Sequence, residues 1–371
     1  MAIDFETPAL LLDTAKVERN CRRMRERLEA EGVQLRPHVK TAKNVEVARM
    51  ALGAQTGPIT VSTLREAEYF IEHGFRDILY AVGIVPAKLE HVARLARGGV
   101  SMGVIVDSVD AARAVAAANK GKGARVEALI EVDSDGHRAG LRPGDPRLLE
   151  VGRALDGALR GVMTHAGDSY NCDTVEGIRA VAARERDAVV LCANALAAAG
   201  MPCPTVSVGS TPTATFADSF EGVTEVRVGV YVFHDLVMAG LGVCGLDDIA
   251  VSVAGSVIGH QHDKNWLITD AGWMALSRDR GTARQKVDQG YGLVCDADGH
   301  PLDDLIVTDA NQEHGIVARR GGGPIDFDRF AIGTVLRFLP NHACATAAQH
   351  DHYEVFDGPR HIGRWPRVNG W

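Results

Sequence analysis

Five short runs concentrate side chains that can do chemistry: Arg36-Pro37-His38-Val39-Lys40, Asp133-Ser134-Asp135-Gly136-His137-Arg138, Thr164-His165-Ala166-Gly167, Val208-Gly209-Ser210-Thr211-Pro212-Thr213 and the stretch ending near Tyr231. Lys40 is the most informative. A lysine crowded at a strand end is desolvated, which lowers its pKa and makes it a base or a Schiff-base nucleophile; the alternative is a surface lysine lying along a rim. Gly209-Ser210-Thr211 offers backbone N–H groups and two hydroxyls, a small anion cradle suited to phosphate, or simply a turn. Arg138 can bond a cofactor oxygen or substrate carboxylate, or pair with Asp133 or Asp135. His165 can face a cofactor ring or serve as a hydrogen-bonded structural histidine.

A second constellation is Pro340-Asn341-His342-Ala343-Cys344-Ala345-Thr346. If the chain is extended there, a separation of two puts His342 and Cys344 on one face. Imidazole and thiolate together suit zinc, and two protein ligands leave open coordination positions; a small buried cysteine beside a structural histidine is the competing reading. The nearby His350, Asp351 and His352 read as a solvated turn rather than as further ligands.

The elements that must position these groups follow from periodicity. Eight β-branched runs (33–39, 58–62, 77–82, 100–107, 126–133, 159–166, 205–209 and 226–232) alternate with segments of helical period such as 45–54, 64–73, 87–96, 109–119 and 174–199. That alternation is the mark of parallel βα units. A closed (β/α)₈ TIM-like barrel is expected over an open doubly wound sheet, because the repeats span about 200 residues and no G-x-G-x-x-G follows the first strand. In such a barrel the active site lies at the C-terminal ends of the strands, where the polar runs fall.

After about residue 244 the pattern changes to strands without helices between them: 249–260, 266–270, 305–310, 314–318, 335–339 and 352–356. The expected organisation is a barrel over 14–243 and a mainly β domain over 244–371, completed by 1–13. The uncharged stretch 188–217 holds Gly200, Pro202, Pro204 and Pro212, which marks a buried helix end and strand rather than a membrane span.

Composition narrows the class. The 371 residues carry 40 Lys+Arg against 48 Asp+Glu, net −8, with 46% hydrophobic and 24% charged residues. These values exclude a disordered, collagenous or multi-span membrane chain, and the mild acidity argues against nucleic acid as partner. Seven cysteines without a C-x-x-C do not suggest a disulfide framework, and the first thirty residues lack the apolar core of a signal peptide. A cytoplasmic protein is expected.

Taken together, Thr7-Pro8-Ala9, Arg36-Pro37-His38-Val39-Lys40-Thr41, Asp135-Gly136-His137-Arg138, Thr164-His165-Ala166-Gly167, Val208-Gly209-Ser210-Thr211, Asp270-Ala271-Gly272 and Pro340-Asn341-His342-Ala343-Cys344 resemble the D-serine dehydratase and D-threonine aldolase family, pyridoxal-phosphate enzymes with the alanine racemase fold. The resemblance covers nearly the whole chain, in order. It implies that Lys40 carries pyridoxal 5'-phosphate as a Schiff base and acts as base at Cα, and that Gly209, Ser210 and Thr211 hold the phosphate with Tyr231 beside it. It further places Arg138 near the pyridine hydroxyl, His165 close to the ring and Tyr170 and Asp270 near the site, and makes His342 and Cys344 the ligands of a divalent metal (Zn, or Mn, Co or Mg). The aldolases carry Asp where this chain has Cys344, so the resemblance favours the dehydratase branch. The implied reaction converts a β-hydroxy-D-amino acid (D-threo-3-hydroxyaspartate, D-serine or D-threonine) to a 2-oxo acid and ammonia in a homodimer. A metal-dependent aldolase, an amino-acid racemase and a non-catalytic pyridoxal-phosphate carrier are the alternatives. The loop 278–286, with Arg278, Arg280, Arg284 and Lys286, is the place to look for a cation that selects a dicarboxylic substrate.

Overall fold

Runs such as Val126–Val132 and Ser101–Val106 are buried along almost their whole length, as strands covered on both faces must be. The computed structural model describes residues 5–120, 123, 125–136 and 138–371; His137 of the Asp-Gly-His-Arg run and the first four residues lie outside the described residues. Two units are formed, Met1–Asn20 with Val230–Arg367, and Cys21–Gly229 with Val368–Trp371.

After β1 (Ala9–Asp13), which belongs to the first of these units, come eight parallel strands: β2 (Gln34–Pro37), β3 (Pro58–Val61), β4 (Asp77–Gly83), β5 (Ser101–Val106), β6 (Val126–Val132), β7 (Leu159–Thr164), β8 (Thr205–Val208) and β9 (Glu225–Val228). Their order is β2-β9-β8-β7-β6-β5-β4-β3. The two ends of that order meet where His38 bridges Thr60 in parallel and the Val39 N–H donates to the Thr60 carbonyl at 2.9 Å, so the sheet closes into the expected TIM-like barrel. Leu79, Ile105, Leu129 and Met163, one from each of four neighbouring strands, pack as one cluster. Several helices begin on side-chain caps: Thr63 Oγ1 accepts the Glu66 N–H at 3.0 Å while the Glu66 carboxylate accepts the Ser62 N–H at 2.8 Å.

Arg36, grouped by sequence with the polar rim, serves the opposite end of the barrel. Its guanidinium, 1% exposed, donates to Glu225 Oε2 at 2.8 Å and to Asp77 Oδ1 at 3.0 Å, and Asp77 also meets Arg160 at 3.4 Å. Asp77 and Glu225 each begin a strand, so this network closes the N-terminal face, where barrels keep stability rather than chemistry. Glu225→Ala strips a buried cation of its buried partner and is expected to cost about 3 kcal/mol in chemical denaturation at pH 7. Burial raises the Asp77 pKa, but Arg36 and Arg160 more than reverse this and hold it below the ordinary value. Asp77 thus contributes stability that is present above the ordinary carboxylate range and lost as pH falls through its lowered pKa.

The other unit is antiparallel apart from one pair. It comprises β1, β10 (Val251–Gln261), β11 (Trp266–Thr269), β12 (Gly292–Cys295), β13 (Pro301–Ala310), β14 (Gly315–Arg319), β15 (Val335–Pro340), β16 (His352–Asp357) and β17 (Arg360–Pro366). The order is β11-β14-β13-β12-β15-β10-β1-β16-β17, and β11 also pairs with the far half of β10. Six strands therefore close on themselves, with β1, β16 and β17 extending from β10 and β1 parallel to β16. Strands β12 and β17 have no counterpart in the sequence reading. β12 is four residues long inside a Gly/Asp-rich segment, and β17 is an exposed edge strand rich in Arg and His, so neither carries a hydrophobic period. Among the described residues no helix is long and apolar enough to cross a membrane; the uncharged stretch ends the helix Val175–Ala198 and continues into β8.

Candidate active site

At the C-terminal rim of the barrel, β2 leads directly into His38 and Lys40. The Lys40 N–H points to His38 Nδ1 at 3.5 Å, and the Lys40 side chain is exposed and forms no ion pair with the described residues. Of the two readings of Lys40, the exposed side chain is that of a lysine lying along the rim. The His38 imidazole is uncharged, because burial, reinforced by Lys40, Arg227 and His165, holds its pKa well below the usual value.

The run after β6 returns to the strand through Gly140, whose φ of +113° and whose missing side chain are both required, since a Cβ there would lie 2.7 Å from the Asp133 nitrogen. This turn presents Arg138, exposed, with Nη2 3.6 Å from Glu131 Oε1 rather than paired to Asp133 or Asp135. Arg138 and His165 line one small cleft with Glu131, Asp133 and Asp135. His165 Nδ1 lies 2.6 Å from the Gly209 carbonyl, which can only accept, so Nδ1 carries the proton and Nε2 keeps its lone pair. Burial above all, aided by Lys40, Arg138 and Arg227, lowers its pKa to about 3 although that hydrogen bond opposes it. Tyr170, on a 3₁₀ turn after β7, stands with its ring centroid 6.2 Å from that of His165.

The turn after β8 divides its polar atoms. Ser210 Oγ caps the short helix Thr211–Phe216, accepting the Thr213 N–H at 3.2 Å and meeting Ser169 Oγ at 2.8 Å. Thr211 Oγ1, at the start of that helix, is buried and has no partner. Of the two hydroxyls in this run, only that of Thr211 is available to an incoming anion. Gly209 is required because a Cβ there would lie 1.9 Å from the Arg227 carbonyl oxygen.

Two buried charges escaped the sequence reading. Glu185, on the helix Val175–Ala198, accepts the N–H groups of Ala166 and Gly209. Arg227, on β9, donates to the Thr164 carbonyl, keeps a buried Nε without a partner and lowers the pKa of both His38 and His165. Glu185 had a signal: it is the one charged residue in the stripe Ile178, Val181, Ala182, Glu185, Ala188, Val189, Cys192. Arg227 had none, lying inside a short strand with alternating charge.

In the other unit, His342 is extended but Cys344 is not. Cys344 is the second residue of the helix Ala343–Ala347, so the pair is not the alternate-residue strand arrangement expected from the spacing. The helical turn still brings imidazole and sulfur together, in a side-chain hydrogen bond. His342 Nδ1 lies 2.6 Å from Asp279 Oδ2, which leaves Nε2 as the nitrogen free to serve a metal. Burial would lower the His342 pKa, but Cys344, Asp279 and Asp235 outweigh it and push it up to about 11.

Buried neighbours fix the turn. Asp235 Oδ2 accepts the Ala343 N–H at 2.9 Å, while Asn341 Oδ1 accepts from Thr282 at 3.1 Å and its Nδ2 donates to the Gly290 carbonyl at 2.8 Å. Among the described residues no three His, Cys, Asp or Glu side chains gather as a ligand group, so the donors on offer are His342 and Cys344. His350 Nε2 donates to the Ala275 carbonyl at 3.0 Å, and His352 sits against Asp351. Tyr231 is buried in a 3₁₀ turn beyond β9 rather than on the eighth strand, and Asp270 accepts Thr7 Oγ1 at 2.6 Å and the Ser256 N–H at 2.7 Å.

A parallel barrel with a lysine and an anion turn on its rim, followed by a closed β unit, defines a protein of the alanine racemase fold. Residues 12–236 match the alanine racemase N-terminal domain and residues 250–356 a serine dehydratase domain. The whole chain is 53% identical to 99% of the D-threo-3-hydroxyaspartate dehydratase of Delftia sp., and the solved structure of that enzyme superposes with a TM-score of 0.96 over 99% of each chain. A D-serine dehydratase of Dictyostelium discoideum is 31% identical over 97% of this chain and 95% of its own, and the D-threonine aldolase of Filomicrobium marinum is 27% identical with a TM-score of 0.84 over 98% of this chain and 96% of its own. The chain belongs to this family of dehydratases.

Proposed function

We propose that the protein is a pyridoxal-phosphate and divalent-metal dependent dehydratase that converts a β-hydroxy-D-amino acid, D-threo-3-hydroxyaspartate foremost, to a 2-oxo acid and ammonia. The observation that carries the reading is the 53% identity to a D-threo-3-hydroxyaspartate dehydratase across the entire chain.

The residues fit both groups. Thr211 offers a buried, unpartnered hydroxyl where a phosphate oxygen would be held, and the His342 nitrogen with the Cys344 sulfur is a donor set suited to zinc. A relative, the Delftia dehydratase, has been solved in a metal-free form of a variant, which supports a metal in its working state. When bound, the cofactor supplies an electron sink for the substrate Cα and the metal a Lewis acid for its β-hydroxyl.

The chain's own groups supply the rest. Lys40 anchors the cofactor and, once free, takes the Cα proton with its exposed amine. Gly209, Ser210 and Thr211 form the turn that would hold the phosphate, with the Thr211 hydroxyl as its donor and Gly209 and Ser210 shaping the backbone around it. Arg138 would serve the ring oxygen, with Tyr170 beside His165. His165 is held neutral with Nδ1–H on Gly209, so it presents a polar edge to the ring without placing a second positive charge beside Arg138. Asp279 fixes the His342 tautomer, and His342 with Cys344 would hold the metal. Loss of the Cα proton and the β-hydroxyl amounts to loss of water, and hydrolysis of the resulting enamine gives the 2-oxo acid and ammonia. A cytoplasmic homodimer is part of the same reading.

Product identification from D-threonine with pyridoxal phosphate, run with zinc or manganese and again after EDTA, tests it. Metal-dependent 2-oxobutyrate and ammonia are expected. Glycine and acetaldehyde would move the protein to the aldolases, which the likeness to a D-threonine aldolase keeps as the second reading.

The basic loop is proposed to choose the dicarboxylic substrate. Arg280 is paired with Asp288 at 2.7 Å and Arg278 stacks on Trp273 at 5.1 Å, whereas Arg284 is exposed with no partner among the described residues. Alanine at Arg284 is expected to lower the ratio of hydroxyaspartate to D-serine activity about tenfold. Ratios unchanged by alanine at Arg278, Arg280 and Arg284 alike would remove the loop from substrate selection.

A further inference from the structure

Glu185 occupies a position on its helix that periodicity reserves for an apolar side chain, and it is 2% exposed. A carboxylate taken out of water must be compensated by its partners. Its compensation is specific: Oε1 accepts the Ala166 N–H at 3.1 Å and the Gly209 N–H at 2.9 Å, and the Thr213 side chain bonds to it as well. Ala166 follows β7 and Gly209 follows β8, so one oxygen joins the exits of two neighbouring strands.

The same two exits are tied from their other sides. The Gly209 carbonyl receives the His165 Nδ1–H at 2.6 Å, Ser169 Oγ donates to the Ala166 carbonyl at 2.7 Å, and Ser169 Oγ meets Ser210 Oγ at 2.8 Å. Each peptide that Glu185 grips therefore carries a proposed cofactor contact within two residues: His165 beside Ala166, and Ser210 and Thr211 beside Gly209.

We propose that Glu185 is the positioning residue of the barrel site, its carboxylate locking the Ala166 and Gly209 segments together and so setting where His165 and the Gly209–Thr211 turn meet the cofactor; this rests on the assignment of those residues to pyridoxal phosphate. Glu185 acts through these segments and touches no reacting atom. What the position requires is an acceptor at the right reach. Glutamine keeps both; aspartate keeps the charge but withdraws the acceptor, and methionine keeps the volume and removes it.

The experiment is titration of the purified full-length chain with pyridoxal phosphate, read by cofactor absorbance, for the wild type, Glu185→Gln, Glu185→Asp and Glu185→Met. Gln is expected to bind within about threefold of wild type, while Asp and Met, folded by circular dichroism, bind at least about tenfold more weakly and with a shifted absorbance maximum. A folded Asp or Met variant binding within twofold of wild type overturns the proposal, as does a folded Gln variant weakened tenfold. A purely structural carboxylate would change thermal stability but neither affinity nor absorbance. In the wild type, adding pyridoxal phosphate is expected to slow hydrogen exchange at the Ala166 and Gly209 amides together, and unchanged exchange at both overturns the proposal even where no variant folds. A wild type that takes up no cofactor overturns the site assignment itself, a result distinct from equal binding by wild type and Met variant.

Discussion

Lys40→Ala is expected to lower kcat for D-threo-3-hydroxyaspartate by at least about 10³-fold, because the substitution removes both the anchor of the cofactor and the base for the Cα proton, and a positioned base alone contributes about 10²–10⁴-fold. The loss falls on chemistry and not on folding. Lys40 is exposed and unpaired, so its removal opens no cavity and orphans no buried partner, and the melting temperature should stay within about 2 °C of wild type. Borohydride reduction followed by peptide mapping gives a readout independent of turnover: pyridoxal phosphate should be fixed to the peptide containing Lys40 in the wild type and to none in the variant. His38 and His165 are both held neutral, so neither adds a positive charge beside Lys40. Turnover within tenfold of wild type would remove Lys40 from the mechanism.

The barrel was legible because its strands are written twice, as β-branched runs and as the gaps between amphipathic helices, so all eight could be placed although several are only four residues long. The polar runs at the strand exits were legible for the same reason, since a barrel fixes which end of each strand can do chemistry. Arg36 shows the limit of that rule. It lies two residues before His38, yet its long side chain reaches back to Glu225 and Asp77 at the other face, a choice set by partners far away in sequence. Asp235 was out of reach in another way, since it accepts the Ala343 N–H from a distant turn, a role that any sequence neighbourhood can host; the charge of Glu185 stands out in its apolar stripe, but its partners on two distant strand exits do not. In the β unit, the H-x-C spacing suggested strand geometry and the chain made a helical turn. At that separation a helix start and a strand both bring the two side chains near one another, so the chemistry suggested by the pair survives the error in its local conformation.

Chelation should separate the two halves of the reaction. With the metal stripped by EDTA, ammonia release from D-threo-3-hydroxyaspartate is expected to fall at least about 100-fold, whereas Lys40-dependent exchange of the Cα proton with deuterated solvent persists, because only departure of the β-hydroxyl calls for a Lewis acid. Proton exchange lost in parallel with ammonia would instead mean that the metal organises the whole site. Asp279 sharpens the test. Its carboxylate 2.6 Å from His342 Nδ1 holds the ring with Nε2 free, and carboxylate partners of this kind are worth about 10–100-fold in metal affinity. Asp279→Asn should therefore weaken zinc binding by about that factor in a chelator competition and shift the metal-activation curve to higher concentration, with kcat at saturating metal near wild type. A variant with unchanged metal affinity would reduce the Asp279–His342 contact to an ordinary half-exposed ion pair.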